Sequence, residues 1–295
     1  MPNDTMLISL LHQGAHYDLI KPYKQDIIQN HKRFAEFNDM EYRLYGDEVP
    51  YRYNLVGRTF SEYNIPLNII GSLPGIVKLY TILSAIEDYP DITYFIFADF
   101  DSIFMEYKKL DDDTNYLIEH QSYRNHVLTV SCRQQPYLYD TSFLYYYCMY
   151  TGMTFEDIKT LRYRYNSGLV ILHRDTITET MVNDYVNFCI DIHTHKQQYY
   201  ISEPEKTHAM TLPYDEVGIS DTPHNLFHPS DEVFFQWLQM RIKLSDDYIA
   251  ELKPSWNQTN TDPDYINGDD NISGVYHAHC INKEAIPTML ELSNV

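Results

Sequence analysis

Asp91–Phe104 reads DITYFIFADFDSIF, and the fold is decided there. Residues 93–98 are a short β-branched and aromatic run, which predicts a buried strand. The run ends in Asp99-Phe100-Asp101. In an extended segment, residues two apart point to the same side. On that reading Asp99 and Asp101 present two carboxylates together, and Phe100 turns the other way into apolar surroundings. Two carboxylates a few ångströms apart repel each other unless a cation sits between them. Oxygen ligands of this kind suit Mn²⁺ or Mg²⁺. The carboxyl end of a strand in an α/β sheet is also where a ligand is expected. The plainer expectation is that an aspartate at a strand end caps a turn or the next helix. A lone D-x-D does not decide between them.

Composition narrows the classes. The 295 residues suffice for one large or two small domains with a proper core. The formal net charge of −20 speaks against broad binding to a phosphate backbone, which needs clustered Lys and Arg. Cys132, Cys148, Cys189 and Cys280 form no C-x-x-C pair, so no zinc or redox motif is expected. A reduced, cytoplasmic protein is the simplest expectation (host cytoplasm if the chain is viral). The start, MPNDTMLISLL, lacks the pattern of a signal peptide, and no apolar stretch nears the roughly 20 residues of a membrane span. The 28 tyrosines offer rings for stacking on sugars or bases, although core packing and genome composition account for many of them equally well.

Working outward, residues 5–11 (TMLISLL) predict a first strand, with Leu11, His12 and Gln13 at its carboxyl end. Residues 22–37 predict an amphipathic helix whose apolar face is Ile27, Ile28, Phe34 and Phe37. Residues 41–45 predict a second strand, completing the start of a parallel βαβ unit. Residues 75–89 predict a strong helix stopped by Pro90, with Lys78 on it. A lysine there would reach a phosphate-bearing ligand at the D-x-D, or else be solvated. Strands are expected at 126–131 and at 165–173 (YNSGLVILH). In the latter, Gly168 leaves room for a ligand against the backbone, and Asn166 offers both a donor and an acceptor. A helix is expected at 176–192. Ser230-Asp231-Glu232 opens another, where Ser230 is a natural N-cap. Residues 275–279 (VYHAH) predict a short strand on which His277 and His279 share a face. An imidazole is a good third ligand for Mn²⁺ beside two carboxylates. The Tyr-rich segment 134–165 has no firm assignment.

In order, the chain carries D-x-D, then Y-N-S-G-L-V-I-L, then D-E, then W-N, then H-x-x-C-x-x-K. This resembles the metal-dependent GT-A glycosyltransferases, especially the retaining group that includes glycogenin and bacterial lipooligosaccharide galactosyltransferases. The resemblance extends from Leu7 to Lys283. It implies an α/β fold with a Rossmann-like, mixed but mainly parallel sheet flanked by helices. It implies one domain over 1–295, with a nucleotide-binding half to about residue 115 and a half for donor sugar and acceptor after it. Asp99 and Asp101 match the D-x-D that binds Mn²⁺ (or Mg²⁺) and, through it, the donor diphosphate. His277 matches the third metal ligand, with His279 the alternative, and Lys283 matches the lysine that holds the diphosphate. Lys78 sits where the family has a basic residue. Asn166 and Gly168, with Ser167 between them, match the segment lining the donor sugar. Asn257 of the W-N pair is counted with the donor-binding residues. Asp231 matches the acidic residue near the reacting carbon, with Glu232 beside it, and Leu11, His12 and Gln13 lie where base and ribose rest.

The resemblance implies a glycosyltransferase using a nucleotide sugar, with a UDP-sugar the expected donor and retention the expected outcome. The sequence departs from the family in several ways: the Pro-Trp that often follows the lysine is absent, and the segments between D-x-D and N-S-G and between N-S-G and Asp231 are longer than usual. Glu232 stands where Gln is common, and Cys280 stands where Gly is usual. The acceptor is undefined: a glycan, a protein or a modified nucleic acid. Three other expectations compete. One is a phage-type enzyme acting on hydroxymethylated DNA bases, against which the −20 charge speaks. Another is a nucleotidyltransferase, whose Gly- and Arg-rich loop is missing after Leu11. The last is a non-catalytic carbohydrate-binding protein with tyrosine platforms.

Overall fold

The computed structural model describes residues 4–12, 17–55, 73–105, 127–131, 165–188, 234, 237–238, 249–251, 258–260, 275–278 and 280–293. The chain opens with strand β1 (Thr5–Leu10), helical turn α1 (Tyr17–Ile20), helix α2 (Lys24–Phe37) and strand β2 (Glu41–Tyr45). Helix α3 (Glu48–Arg52) and helix α4 (Leu73–Asp88) lead to strand β3 (Tyr94–Ala98) and strand β4 (Ser102–Phe104). Strands β5 (Val127–Ser131) and β6 (Tyr165–His173) precede helix α5 at residues 179–188. Strands β7 (Ile249–Glu251), β8 (Gln258–Asn260) and β9 (Val275–Ala278) are followed by a 3₁₀ segment (Cys280–Ala285) and helix α6 (Ile286–Leu292).

The main sheet has six strands in the order β2-β1-β3-β6-β5-β7. Its β2-β1, β1-β3 and β5-β7 pairings are parallel, and β6 runs antiparallel to both of its neighbours. The sheet is therefore mixed but mainly parallel and flanked by helices, as the sequence predicts. The unit β1-α2-β2 is the expected parallel βαβ start. A small second sheet, β4-β9-β8, stands beside it.

The two faces of the main sheet follow from the period-two alternation of its strands. Met6 and Ile8 of β1, Phe95 and Phe97 of β3, and Val170 and Leu172 of β6 all enter one core. Helix α4 closes that core with Ile76, Val77, Leu79, Tyr80, Ile82, Leu83 and Ala85, all buried. A helix buried around most of its surface needs this composition, and each such aliphatic side chain contributes about 1.5–3 kcal/mol. Tyr185 of α5 joins the core with Phe234 and Trp237, with ring centroids 5.3 and 5.6 Å away.

Helix α2 covers the opposite face. Its buried stripe is Ile27, Asn30, His31, Phe34 and Ala35, so two polar residues interrupt the apolar pattern. Phe37, assigned to the apolar face on sequence grounds, is only half-buried. Asp39 ends the helix in the left-handed region at φ 58°. Its N–H reaches Glu36 O at 3.1 Å and that of Met40 reaches Ala35 O at 2.9 Å. These are the two bonds of a Schellman stop, and Asp tolerates that backbone better than most residues. The chain is thereby turned straight into β2.

His31 is wholly buried, with Nε2 2.6 Å from Ser102 O and Nδ1 3.0 Å from Ser9 Oγ. A carbonyl only accepts, so Nε2 carries the proton and Nδ1 accepts from the Ser9 hydroxyl. Burial lowers the pKa of His31 from 6.5 to about 4, opposed in part by the bond to Ser102. The unfolded chain takes up this proton near pH 6.5, whereas the folded chain refuses it until about pH 4. Stability is therefore lost as pH falls through that window. Between pH 7 and 5 this group alone costs roughly 2 kcal/mol. Urea unfolding should record that fall in the wild type and a flatter profile in His31→Gln. Equal slopes in both proteins would deny the buried neutral imidazole.

Candidate active site

The D-x-D is a turn, and this corrects the extended geometry expected from sequence. Strand β3 stops at Ala98, and the Ser102 N–H closes back on Asp99 O at 2.9 Å. The two carboxylates consequently meet different partners. Asp99 continues the β3 face that carries Phe95 and Phe97, toward α4. There Lys78 Nζ lies 2.6 Å from Asp99 Oδ1. The same ammonium donates to Ser167 O at 2.8 Å, lies 3.4 Å from Ser167 Oγ, and sits 4.9 Å from the centroid of the Phe97 ring. Asp101 instead pairs with Lys283 of the 3₁₀ segment. Phe100 turns away as expected, into a cluster with Leu11, Ile20, Ile27, Ile103, Met105, Ile286 and Met289.

The electrostatics follow from burial. The side chains of Lys78, Lys283 and Asp101 are 8%, 5% and 11% exposed, and that of Asp99 is 24% exposed. Lys78 is thus a buried partner of the D-x-D and not a solvated lysine. Desolvation lowers the pKa of the Lys283 ammonium from 10.5 to about 8, and the charge of Asp99 opposes the fall. Lys283 remains a cation at neutral pH. A desolvated ammonium is tolerated only beside a carboxylate, and the reverse also holds.

Other predicted residues converge on the same edge of the sheet. The Asp99 N–H bonds Gly168 O at 2.9 Å, which brings the start of β6 against the D-x-D. Ser167 is buried beside Lys78. Strands β1 and β3 are parallel with Ile8 opposite Phe97, so Leu11 and His12 come out at the same end. Leu11 is held by its N–H to Tyr45 O at 2.9 Å. His12 Nδ1 lies 2.7 Å from Asp47 Oδ1. Of Asn166 and His277 only the backbone is described: the ladder sets Asn166 opposite Val130 and His277 opposite Ser102. Gln13, Asp231, Glu232, Asn257 and His279 fall outside the described residues, as does the Tyr-rich segment 134–165 except for Tyr165, the first residue of β6.

Sequence reasoning missed Asp47, Asn30 and His31. Asp47 has no sequence signal beyond following β2, the neighbour of β1. Asn30 and His31 do have one, because they break an apolar stripe running from Ile27 to Phe34.

The donor set can be tested against a divalent cation. Asp99 and Asp101 supply hard oxygen donors, which suits Mn²⁺ or Mg²⁺. Each carboxylate already has one oxygen against an ammonium, so an ion would have to share these donors with Lys78 and Lys283. Ser102 Oγ, fully buried next to Asp101, has no hydrogen-bond partner among the described residues, and His277 is its opposite number in the ladder. Among the described residues no group of three or more His, Cys, Asp or Glu converges, so the described donor set is the two aspartates. The residues present fit such an ion.

No family model matches the chain, and no curated protein does. Among solved structures it is similar to mouse xyloside xylosyltransferase 1 in its apo form, at 12% identity over 95% of this chain and 99% of that one, with a TM-score of 0.45. It is also similar to a glycosyltransferase involved in glycosylation of the major capsid of PBCV-1, at 11% identity over 97% and 98%, with a TM-score of 0.45. At these scores the likeness carries no argument, and the reading of the site rests on the residues above. Among the described residues no helix is long and apolar enough to cross a membrane.

The Asp101–Lys283 pair has a measurable consequence. Removing one partner of a buried pair leaves an uncompensated charge, a loss of about 3 kcal/mol. Lys283→Met and Asp101→Asn should each lower the urea midpoint. The double variant should lose clearly less than the two losses added together. Strict additivity would mean that the two side chains do not interact.

Proposed function

We propose that this chain is a metal-dependent GT-A glycosyltransferase. In this reading it moves a sugar from a nucleotide sugar, with a UDP-sugar the expected donor, to an acceptor hydroxyl. One observation carries the reading. The paired aspartates at the tip of a central strand are each met by a buried lysine, one arriving from 21 residues upstream and the other from 182 residues downstream. A fold brings four charges from three segments into one desolvated place when that place handles charge. The mixed sheet with one opposed strand, and the motif order along the chain, support the same reading.

Asp99 and Asp101 would hold Mn²⁺ or Mg²⁺, with His277 the expected third ligand. Such an ion supplies a Lewis acid that offsets the negative charge growing on the departing diphosphate. Lys283 and Lys78 stand against the same turn and would add charge-assisted hydrogen bonds to phosphate oxygens. Leu11 and His12, with Gln13 after them, lie at the strand end where the nucleoside would rest, and Asp47 fixes the His12 ring. Gly168, lacking a side chain, would let the donor sugar approach the backbone of β6, beside Asn166 and Ser167, with Asn257 assigned to the same donor site. Asp231 and Glu232 are assigned to the reacting carbon. A carboxylate there would stabilise an oxocarbenium-like centre, as in glycoside hydrolysis, with retention as the expected outcome.

The test is a panel of nucleotide sugars scored for release of nucleoside diphosphate, with and without Mn²⁺. The reading expects turnover that disappears on chelation and returns with the metal. Asp99→Asn should lower it by about 10² or more while the protein stays folded. Full turnover in that variant would refute the mechanism. The third ligand is assigned by comparing His277→Ala with His279→Ala. Only the former should weaken Mn²⁺ binding in the presence of UDP, and the opposite result would move the ligand to His279.

A further inference from the structure

Strand β4 has two edges, and among the described residues one of them carries a strand. Phe104 N–H, Phe104 O and Ser102 O all point toward α2, so the polar groups of Ile103 point toward β9. On the α2 side two side chains stand in for the missing neighbour. Asn30 Oδ1 accepts from the Phe104 N–H at 2.9 Å, and Asn30 Nδ2 donates to Phe104 O at 2.9 Å. That reciprocal pair is what one residue of an adjacent antiparallel strand would make. His31 Nε2 donates to Ser102 O at 2.6 Å.

His31 also joins the two sheets. Its Nδ1 takes the hydroxyl of Ser9 on β1, which belongs to the main sheet, while its Nε2 holds β4 of the small one. The ring cannot drift, because Tyr42, Phe100 and Phe104 surround it with centroids 5.5, 6.0 and 5.2 Å away. Asp99 follows a strand of the main sheet, whereas Asp101 leads directly into β4. Across the β4–β9 ladder, His277 stands opposite Ser102.

We propose that Asn30 and His31 are positioning residues. They set β4 at a fixed offset from β3, and so fix the spacing between Asp99, Asp101 and the His277 backbone. Neither touches donor or acceptor; both act through the backbone of residues 102–104. The inference rests on the cation-binding role proposed above for the two aspartates.

The experiment measures the Mn²⁺ dissociation constant with UDP present, by electron paramagnetic resonance of free Mn²⁺, alongside circular dichroism of the same samples. His31→Phe keeps an aromatic ring of similar bulk but loses both hydrogen bonds. Asn30→Ala removes the clamp on Phe104, together with the 3.4 Å bond from Asn30 Nδ2 to Ser293 Oγ, and leaves the His31 bonds in place. Each should weaken Mn²⁺ binding about tenfold in fully folded protein, the scale expected when a ligand loses its support. His31→Gln, whose amide can again donate to Ser102 O, should recover most of the affinity. A purely structural role would lower the unfolding midpoint in all three variants and leave the Mn²⁺ affinity of the folded protein unchanged, which overturns the proposal. Should His31→Phe fail to fold, Asn30→Ala makes the same comparison with the His31 bridge intact. Wild-type protein that binds no Mn²⁺ would instead remove the proposed function, and this inference with it.

Discussion

Two carboxylates separated by one residue, at the end of a strand whose other side chains are buried, cannot both stay ionised without positive charge against them. The rest of the architecture answers that constraint. Helix α4 packs on the main sheet through an almost wholly apolar surface, and the one long cation it buries there is Lys78, delivered to Asp99. The chain returns at its far end to deliver Lys283 to Asp101. Neither lysine is placed by local structure. Each is placed by packing, α4 through its apolar surface and the 3₁₀ segment through the helix that follows it, whose Ile286 and Met289 enter the same cluster as Phe100. The aromatic ring between the two aspartates therefore anchors the turn from below while the lysines neutralise it from either side.

The fold was legible because its strands are short and chemically uniform. TMLISL, YFIFA and GLVIL are runs that water would penalise anywhere but in a sheet core, and the helix before the D-x-D strand carries a clear stop at Pro90. The D-x-D geometry was less legible. Period-two reasoning holds only while the backbone is extended, and the chain leaves the extended state one residue after Ala98. The turn sends the Asp99 carboxylate to Lys78 and that of Asp101 to Lys283, so the inference that the two share a face did not hold.

The supporting residues were harder to read for a physical reason. Asn30 and His31 act on backbone groups of β4, more than 70 residues away, and nothing in the D-x-D sequence encodes who will satisfy those groups. What the sequence does contain is a cost. A polar pair inside an apolar helical stripe loses its water on folding and must recover hydrogen bonds elsewhere. Such a pair therefore points to an unpaired backbone edge in its vicinity, even when the edge itself cannot be located. Asp47 lacked even this signal, since a half-exposed aspartate after a strand suits solvent equally well.

The same charges bear on how a protein of net charge −20 could accept a diphosphate. A uniform acidic field would repel it, but the field at a site depends on what lies within roughly one Debye length, about 8 Å at physiological salt. Within the D-x-D turn the two aspartates and two buried lysines cancel. A divalent ion taken up there would leave the site with two units of positive charge in a place of low dielectric, where charge acts most strongly. Without the lysines the same ion would only neutralise the aspartates, leaving no surplus attraction for the phosphates. The lysines thus do more than hold the aspartates in the free protein. Under the proposed function they would turn a metal site into a diphosphate site, a role that the D-x-D alone would not fill.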